Sequence, residues 1–405
     1  MKPKISVVTH DFPTREQPYR GAPIWNTLIG LQKYADLSVY CPVPVCPAPL
    51  NRLTGRRTYG HYPVAPEGTL RLQATPYFSI PLLTHSQNGR SIQRKLTREF
   101  QQQRPDLILS YWIYPDSYAA VLTGEDLGIP TVVCSRGSDL KIVESSRKVR
   151  ESIGYTLKHA TAILAVSADL IKTAERLGAP REKLHAVVNG SDSSIFCWRP
   201  QLEARSRLDV HPESRLVVFV GRLVAGKGIA QLLEAMARLL SGRQSQWKLV
   251  IVGEGPLESS LKGTATALGI AEAVLFVGAL PAPRIAEWMT AADLFCLPSE
   301  SEGCPNVIRE ALSCGCPVVA THVGGIPEMV NERNGILLED NGPAVLSEAL
   351  ERAARVAWDR PHIALLETRG WDQVAQETFA VCEGILRNTK WGRRSREAVQ
   401  THAND

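Results

Sequence analysis

Apolar residues along this chain recur in two patterns. Short runs rich in valine, isoleucine and leucine alternate with longer stretches in which apolar residues return every three or four positions. Continuous apolar runs are typical of parallel strands buried on both faces, and the longer period is typical of helices with one buried face. The pattern predicts strands at Ile5–Thr9, Leu37–Cys41, Leu107–Tyr111, Thr131–Ser135 and Ala162–Val166, and then at Leu216–Val220, Lys248–Val252, Val274–Val277, Leu294–Leu297 and Pro317–Ala320.

Strands that alternate with helices in this way predict an α/β fold with two doubly wound, Rossmann-like domains. A chain of 405 residues is also too long for one ordinary core. We expect a boundary within residues 196–212, which carry prolines and charges but no strand pattern. The predicted domains are residues 1–195 and 196–370, followed at 371–405 by a long helix from Trp371 and a basic tail.

The formal net charge of +5 is concentrated in two places. One is the tail, where Lys390, Arg393, Arg394 and Arg396 lie close together. The other is the segment 90–104, which has basic residues around apolar residues at helical spacing. Such a helix could lie on an anionic membrane surface, or its apolar stripe could pack on its own domain. Both interpretations stay open from the sequence.

Location and metal content are predicted from what the sequence lacks. The first ten residues hold too few apolar positions for a signal peptide, and no later stretch reaches the eighteen consecutive apolar residues of a membrane span. We therefore expect a cytoplasmic protein, with peripheral contact at the cytosolic face of a membrane as an alternative. Nine cysteines without repeated C-x-x-C pairs fit a reducing compartment. Cys304, Cys314 and Cys316 come nearest to a metal cluster, but we interpret them as buried side chains and predict neither metal nor cofactor.

The segment VFVGRLVAGKG contains an incomplete phosphate-binding motif. Residues Gly221 to Lys227 fit G-x-x-x-x-G-K, but Gly228 stands where a nucleoside triphosphatase has the Ser or Thr that binds magnesium. The glycines allow close backbone approach, and Arg222 and Lys227 supply two cations suited to a diphosphate. The motif therefore favours a diphosphate ligand over magnesium-dependent triphosphate hydrolysis.

A second loop, PSESEGCPNVIRE, follows the predicted strand at Leu294–Leu297. Glu302 is expected in the loop and Glu310 about one turn into the next helix, so the two carboxylates could hydrogen-bond different hydroxyls of one ligand. Amides at the start of that helix favour an anionic or polyhydroxyl ligand. A third loop, VGGIPE, is by itself only a turn.

Taken together, these segments resemble the retaining GT-B-fold glycosyltransferases of family 4. The resemblance rests on FVGRLVAGKG, LVIVGEGP, VLFVGALP, AADLFCLPSESEGCPNVIREALSCGCPVVATHVGGIPE and NGILLE, and more loosely on YWIYPDSYAA, VVCSRGSD, AVSADL and VVNGSDSSIF in the first half. It implies two Rossmann-like domains facing each other across a cleft, with the helix from Trp371 crossing back to the first. It also implies transfer of a sugar from a nucleotide diphosphate sugar without a metal.

The resemblance further implies roles for residues of the second half. Arg222 and Lys227 would hold the donor diphosphate, Glu302 would contact the transferring sugar, and Glu310 would bind the ribose hydroxyls. The catalytic residues would be Arg222 and Lys227, which stabilise the departing diphosphate, and Glu302, for which a general-base role is an alternative to sugar binding. The backbone of the segment between the glutamates would face the sugar and phosphate, and the loop after VLFVG would lie by the nucleobase. The remaining donor-binding positions implied are Gly303, Asn306, Val307, Val277 and Gly278.

The first half departs from this family at two points. Gly21 corresponds to a glycine loop that approaches the diphosphate, but Ala22 and Pro23 follow it where relatives have a second glycine. Arg136 stands where many relatives have a histidine, and arginine cannot accept a proton near neutral pH. Asp139 could orient Arg136 or bind the acceptor, and an Arg136–Asp139 salt bridge that only shapes a turn is an equal alternative.

The remaining predictions concern three aromatic or titratable residues of the first half, the acceptor, and alternative functions for the protein. His10, just after the first predicted strand, could line the interdomain cleft, but a lone histidine in that position is more often structural or solvated. Trp112 and Tyr114 are interpreted as cleft or core aromatics, with acceptor stacking as an alternative. The predicted acceptor is a glycan or a lipid-linked polysaccharide precursor, with peripheral contact to anionic membrane and no nucleic acid. Alternatives are a sugar-nucleotide epimerase of the same fold and a non-catalytic nucleotide-sugar-binding protein.

Overall fold

A computed structural model of the chain describes residues 2–17, 19–46, 62–64, 70–80, 83–141, 146–241, 246–387 and 389. These residues form two compact units. The first contains the chain up to Asn189 and the helix from Trp371, and the second is Gly190–Gly370. The basic tail Lys390–Arg396 lies outside the described residues.

The first unit contains a parallel sheet with helices between its strands. The sheet order is β3-β2-β1-β4-β5-β6-β7. Its strands are β1 (Lys4–Val8), β2 (Asp36–Val45), β3 (Arg71–Phe78), β4 (Leu107–Tyr111), β5 (Thr131–Ser135), β6 (Ala162–Ala165) and β7 (Leu184–Ala186). Its helices are α1 (Ala22–Leu31), α2 (Asn88–Gln102), α3 (Tyr118–Leu127), α4 (Ser138–Lys141), α5 (Arg147–His159), α6 (Ala168–Arg176) and, last in the chain, α14 (Trp371–Leu386).

The second unit repeats this plan with the sheet order β10-β9-β8-β11-β12-β13. Its strands are β8 (Arg215–Val220), β9 (Trp247–Val252), β10 (Val274–Gly278), β11 (Leu294–Leu297), β12 (Val318–Thr321) and β13 (Gly335–Leu338). Its helices are α7 (Gln201–Arg207), α8 (Ile229–Leu240), α9 (Glu258–Ala267), α10 (Ala282–Ala291), α11 (Asn306–Ser313), α12 (Pro343–Ala353) and α13 (Arg360–Leu366). The predicted class of two doubly wound Rossmann-like domains is confirmed.

Every predicted strand is present, whereas β3, β7 and β13 are not among the predictions. β3 lies at the edge of its sheet, and its sequence RLQATPYF alternates exposed and buried positions and includes Pro76. Edge strands need fewer apolar residues and tolerate proline, so they lack the continuous apolar run that identifies a central strand. β7 and β13 are short strands at the other sheet edges.

The segment 196–212, where a boundary was predicted, is folded into the second unit. Phe196 is buried in that unit's core. Arg205 on α7 is buried, and its Nη2 lies 2.6 Å from Asp293 Oδ2. The chain passes between the units slightly earlier, after Asn189. The prolines and charges of this segment therefore belong to the start of α7 and to an ion pair of a buried arginine, and the segment is not a linker.

The basic helix α2 packs its apolar stripe against its own unit. Ile92, Leu96 and Phe100 are fully buried in the core on one side of the first sheet. The helix therefore exposes basic side chains but no apolar face, as the second of the two interpretations predicted. Arg90, Arg94, Lys95 and Arg98 are all exposed.

Helix α14 belongs to the first unit although it follows the second in sequence. Val374, Ala375, Cys382 and Leu386 join the core formed by α1 and the first sheet. None of the helices in the described part of the chain combines the length and apolar character needed to span a bilayer.

Candidate functional site

The candidate site lies where the strand order of the second sheet reverses. β8 pairs with β9 on one side and with β11 on the other, and all these pairs are parallel. In doubly wound sheets such a point leaves a crevice outside the carboxyl ends of the strands, and ligands bind there. The loops that follow β8 and β11 contain the predicted diphosphate and sugar residues.

Glycines bring these two loops into direct backbone contact. Gly226 and Gly228 have φ of 80° and 68°, in the left-handed region that favours glycine. A Cβ at Gly228 would lie 2.0 Å from the carbonyl oxygen of Pro298. The Glu300 amide donates to the Gly226 carbonyl at 2.8 Å. A serine or threonine at position 228 would collide with the neighbouring loop, so the departure from the triphosphatase motif is part of this geometry.

Lys227 and Glu302 form an ion pair across the two loops. Lys227 Nζ lies 2.6 Å from Glu302 Oε1, and the two side chains are 25% and 10% exposed. The Ser299 hydroxyl donates to the same Oε1 at 2.7 Å. The carboxylate is therefore held by a cation and a hydroxyl, and it is presented in one orientation at the end of β11.

Arg222 supplies a second cation, which no described side chain neutralises. Its side chain is exposed and has no hydrogen bond or ion pair with any described residue. Its backbone is nonetheless fixed, because the Gly221 amide donates to Val252 O at 3.0 Å and the Leu223 amide donates to Glu254 O at 3.0 Å. An uncompensated guanidinium on a rigid turn is suited to bind an anion.

Helix α11 contributes an uncapped amino terminus and a second carboxyl group. It starts at Asn306 after Pro305, with no side-chain cap. The positive end of this helix therefore lies at the end of the loop that carries Glu302 and Gly303, where it favours negative charge. Glu310 is half-buried, and burial raises the pKa of its carboxyl to about 7. It forms no side-chain hydrogen bond or ion pair within the described residues.

Backbone contacts connect two further loops to this site. The Gly253 amide donates to the Gly278 carbonyl at 2.8 Å, and a Cβ at Gly253 would lie 1.9 Å from Gly221 O. The end of β10, with Val277 and Gly278, is thereby fixed beside the loop after β9. On the other side, a Cβ at Gly324 would lie 2.1 Å from Glu302 O. VGGIPE, which from the sequence was only a turn, therefore supports the Glu302 loop.

These contacts form a line of loops with distinct chemical character. Its centre holds Lys227, which is paired with the carboxylate of Glu302 ahead of the start of α11, and Arg222 lies on the same loop as Lys227. Cations and helix-terminal amides bind phosphate oxygens, whereas carboxylates accept hydrogen bonds from hydroxyls. The arrangement can hold an anion and a polyhydroxyl group side by side.

In the first unit, Gly21 ends a loop and starts α1. It has φ of 64°, and a Cβ there would lie 2.1 Å from Asp11 O. Its carbonyl accepts from the amides of Ile24 and Trp25, at 2.9 and 3.0 Å. Pro23 lies in the first turn of α1. The residues after Gly21 are therefore helical, and a second glycine is not needed for this turn.

Arg136 and Asp139 do not form the salt bridge that one interpretation of the sequence predicted. The Arg136 Nη1 donates to Asn189 Oδ1 at 2.9 Å. The Asp139 carboxylate is buried and accepts from the backbone amides of Gly137 at 2.7 Å, Arg136 at 3.0 Å and Ile113 at 3.2 Å. Asp139 therefore shapes the turn through backbone amides, which leaves the guanidinium of Arg136 to bind elsewhere.

The structure brings together two titratable groups that the sequence does not connect. The sequence points to His10 alone and not to Asp116, yet His10 Nδ1 lies 2.7 Å from Asp116 Oδ2. The residues are 106 positions apart, and only the pairing of β1 with β4 brings them together. The one signal in the sequence is that each follows a predicted central strand.

Comparison with known proteins identifies both halves of the chain. The sequence profile of Glycosyl transferases group 1 matches residues 201–356. The profile of the Glycosyl transferase 4-like domain matches residues 35–190. The first match covers the loops after β8 and β11, and the second covers most of the first unit.

Individual relatives extend over most of the chain. The chain is 31% identical over 382 residues to TuaC of Bacillus subtilis, a glycosyltransferase assigned to teichuronic acid biosynthesis, with 89% of this chain and 92% of that protein covered. It is 24% identical to the N-acetyl-alpha-D-glucosaminyl L-malate synthase of Bacillus anthracis, with 74% and 80% covered. Among solved structures, Anabaena HepE in complex with UDP is similar with a TM-score of 0.71, 19% identity, and 95% and 100% covered, which shows the shared fold.

Proposed function

The chain belongs to the group 1 glycosyltransferases, and we propose that it transfers a sugar from a nucleotide diphosphate sugar held in the second unit to a glycan or lipid-linked acceptor. The observation that carries the donor assignment is the Lys227–Glu302 pair at the switch point, on whose first loop Arg222 has no partner among the described side chains. A diphosphate needs cations near each other to bind its negative charge. A sugar needs an oriented group that accepts hydrogen bonds from its hydroxyls. Both are present on two loops that touch through Gly226 and Gly228.

Each part of the donor has a matching group in this proposal. Arg222 and Lys227 bind the diphosphate, with help from the amides of Asn306 and Val307 at the start of α11. Glu302 accepts hydrogen bonds from the sugar hydroxyls, near the backbone of Gly303. Glu310 binds the ribose hydroxyls, and Val277 and Gly278 lie by the nucleobase. HepE was crystallised with UDP, which supports a nucleoside diphosphate as ligand class.

The proposed chemistry is electrostatic stabilisation of the departing nucleoside diphosphate. Arg222, Lys227 and the α11 terminus place positive potential where negative charge develops as the bond between the anomeric carbon and the phosphate oxygen breaks. The acceptor oxygen bonds to that carbon, and its proton goes to the diphosphate oxygen. The proposed reaction assigns no step to a metal. Triphosphatases bind magnesium through a Ser or Thr hydroxyl at the position of Gly228, where a Cβ would lie 2.0 Å from Pro298 O. In this scheme the anomeric configuration is retained, and NMR of the product tests that.

A thermal-shift panel of nucleoside diphosphates and their sugar conjugates tests the donor site. A ligand that binds only the native state raises the melting temperature, so at least one compound should stabilise the protein. The same compound should have little effect on Lys227→Ala. If none of the common nucleoside diphosphates stabilises the wild-type chain, the donor assignment is wrong.

We further propose that the acceptor is a polysaccharide or glycolipid precursor at an anionic membrane surface. TuaC, assigned to teichuronic acid biosynthesis, supports a cell-surface polysaccharide. Because Ile92, Leu96 and Phe100 are buried, α2 can attract such a surface only through its charges. These side chains are worth about 1 kcal/mol each near anionic lipid.

Sedimentation with anionic vesicles tests the membrane contact. The substitutions Arg94→Gln and Lys95→Gln should weaken vesicle binding at low salt, and binding should disappear at high salt. The matched substitutions Lys262→Gln and Arg355→Gln, on the second unit, should not. Equal binding by both variants, or binding that resists salt, would contradict a role for α2.

A further inference from the structure

The first sheet has its own switch point, and the donor site does not use it. The strand order reverses between β1 and β4, which pair with each other in parallel. A crevice outside the carboxyl ends of these strands is the expected ligand position in the first unit. His10 follows β1 within two residues, and Trp112 follows β4 directly.

His10 is held in one orientation by a buried carboxylate. Both the backbone amide and Nδ1 of His10 donate to Asp116 Oδ2, at 2.6 and 2.7 Å. Asp116 is fully buried, and its Oδ1 has no hydrogen-bond partner within the described residues. Because a carboxylate only accepts, the proton on Nδ1 is fixed and Nε2 is the atom left for a ligand. The side chain of His10 remains 27% exposed.

Trp112 completes the site with an aromatic ring. It is half-buried, and its ring meets that of His10 edge to face, with centroids 5.4 Å apart. Its φ of 75° is unusual for a residue other than glycine. Such strain persists only where surrounding structure enforces it, and it clusters at ligand sites. Here the backbone is enforced by the Trp112 amide, which donates to Cys134 O at 3.0 Å, and by Ser117, whose amide donates to Trp112 O at 3.1 Å.

The charges around His10 favour its protonated form. Burial lowers the pKa of His10, but the charge and hydrogen bond of Asp116 outweigh it, so that the pKa is raised above its ordinary value. Arg20 opposes this weakly, and Asp11 adds to it. Arg20 is itself paired with Asp11, Nε to Oδ1 at 3.1 Å. Cys41 lies near Asp116, and burial raises the pKa of its thiol, which keeps it neutral.

We propose that His10 and Trp112 form a binding site for a pyranose ring, in which the imidazolium Nε2–H donates to a sugar hydroxyl and the indole packs against the ring. An aromatic surface beside one oriented polar donor is the usual composition of a small-ligand site. Paired charges around His10 leave no excess of positive charge, which favours a hydroxyl ligand over an anion. Asp116 is a positioning residue. The assignment of this sugar to the acceptor of the transferase rests on the proposed function.

NMR of the full chain labelled at histidine and tryptophan tests the site directly. The probes are the methyl glycosides of glucose, N-acetylglucosamine and glucuronic acid. At least one should shift the His10 Cε1–H and Trp112 Nε1–H signals while leaving those of the exposed His211 and His362 unchanged. Its affinity should fall as pH rises through the pKa of His10, because the charged donor at Nε2 becomes a neutral acceptor and the charge-assisted hydrogen bond is lost. No shift with any of the three, or an affinity that is independent of pH, overturns the proposal.

Two variants and one control separate binding from folding. His10→Gln keeps an N–H donor, so pyranoside binding should persist but lose its pH dependence. Trp112→Ala should weaken binding about tenfold, the loss expected for one buried aromatic contact, whereas Trp198→Ala on the second unit should not. If either variant fails to fold, the wild-type titration still decides.

The nucleotide thermal shift, measured on the same sample, separates this proposal from the proposed function. If a nucleoside diphosphate stabilises the protein but no pyranoside shifts His10, the sugar site is wrong and the donor site stands. If a pyranoside binds but no nucleotide does, the sugar site stands without its role as acceptor site.

Discussion

The two units share a parallel doubly wound plan, but the charged groups that follow their central strands are presented in opposite ways. In the second unit, Lys227 and Arg222 lie on surface loops, and Arg222 has no partner among the described side chains. In the first unit, the charged groups at the strand ends are two fully buried carboxylates. Asp116 accepts from the backbone amide and ring of His10, and Asp139 accepts from backbone amides of its own turn. The second unit thus offers charge to a ligand, whereas the first uses charge to orient other groups.

This difference fits two kinds of ligand. A diphosphate carries a fixed negative charge, and exposed cations on a rigid turn bind it without other groups being moved. A neutral sugar must be recognised by the direction of hydrogen bonds, which requires donors held in place by buried partners. The comparison therefore predicts that charge substitutions act mainly on donor binding when they fall in the second unit.

Lys227→Ala should have the largest effect. It removes a cation from the proposed diphosphate site and leaves Glu302, which is 10% exposed, without its ion-pair partner. Loss of one preorganised group at developing charge typically costs about 10²- to 10³-fold in rate. The measurement is kcat/KM for the donor.

Two substitutions serve as controls for Lys227→Ala. Lys262→Ala breaks an exposed Lys–Glu pair in the same unit, with Nζ and Oε1 2.7 Å apart, and should leave the rate unchanged. Arg136→Ala, in the first unit, should lower donor binding far less than Lys227→Ala does. A larger loss of donor affinity with Arg136→Ala would reverse the proposed division between the units.

The same contrast explains how much of the site could be predicted from the sequence. Arg222, Lys227, Glu302 and Glu310 belong to two short motifs, and each motif follows one strand, with Glu310 on the helix that ends the second motif. The spacing of these residues along the chain therefore largely predicts which of them lie close together in the folded protein. The His10–Asp116 pair joins loops that are 106 residues apart, and nothing local to either residue indicates the other.

The fold was predictable to a similar degree. Central strands are continuous apolar runs because both faces are buried, so Leu107–Tyr111 and Thr131–Ser135 were predicted with their observed ends. The edge strand Arg71–Phe78 carries no such signal. The segment 196–212 resembles a linker in the sequence because the partner of Arg205 is Asp293, which lies far along the chain.

Gly228→Ala should have the second largest effect, and it tests whether the loops of the second unit need their close contact. The added Cβ would lie 2.0 Å from Pro298 O at a residue with φ of 68°. The left-handed conformation alone costs a residue with a Cβ about 1–2 kcal/mol, and the loops must also separate. We expect a lower melting temperature and weaker nucleotide binding.

Gly263→Ala is the matched control for that substitution. Gly263 lies inside α9, and a Cβ there would meet nothing within 4 Å. Alanine should therefore be neutral or raise stability by about 0.4–1 kcal/mol. If Gly228→Ala bound nucleotide as well as Gly263→Ala does, contact between the loops would not be needed for the donor site.

Glu310→Gln should have the smallest effect, one that depends on pH. Burial raises the pKa of the Glu310 carboxyl to about 7 in the folded protein, above the value of 4.5 expected for an unperturbed glutamate. Between these two values the native state binds more protons than the unfolded state, so this group makes stability fall as pH rises through that interval. Glutamine carries no charge, and the variant should melt higher than the wild type at pH 8 but not at pH 5, where the native carboxyl is already protonated.

Nucleotide binding should respond to Glu310→Gln in the opposite direction. If the carboxylate accepts from ribose hydroxyls, the variant should lose affinity for a ribonucleoside diphosphate at pH 8 and lose less for the 2′,3′-dideoxy compound, which lacks those donors. Glu332→Gln, an exposed substitution in the same unit, should change neither stability nor binding. The Glu310→Gln variant could gain stability at pH 8 and yet lose the same amount of affinity for both nucleotides. That result would show that Glu310 is a buried charge near the site and does not bind the ribose. The donor site would then depend on the charges of Arg222, Lys227 and Glu302 alone, which lie on the two loops joined through Gly226 and Gly228.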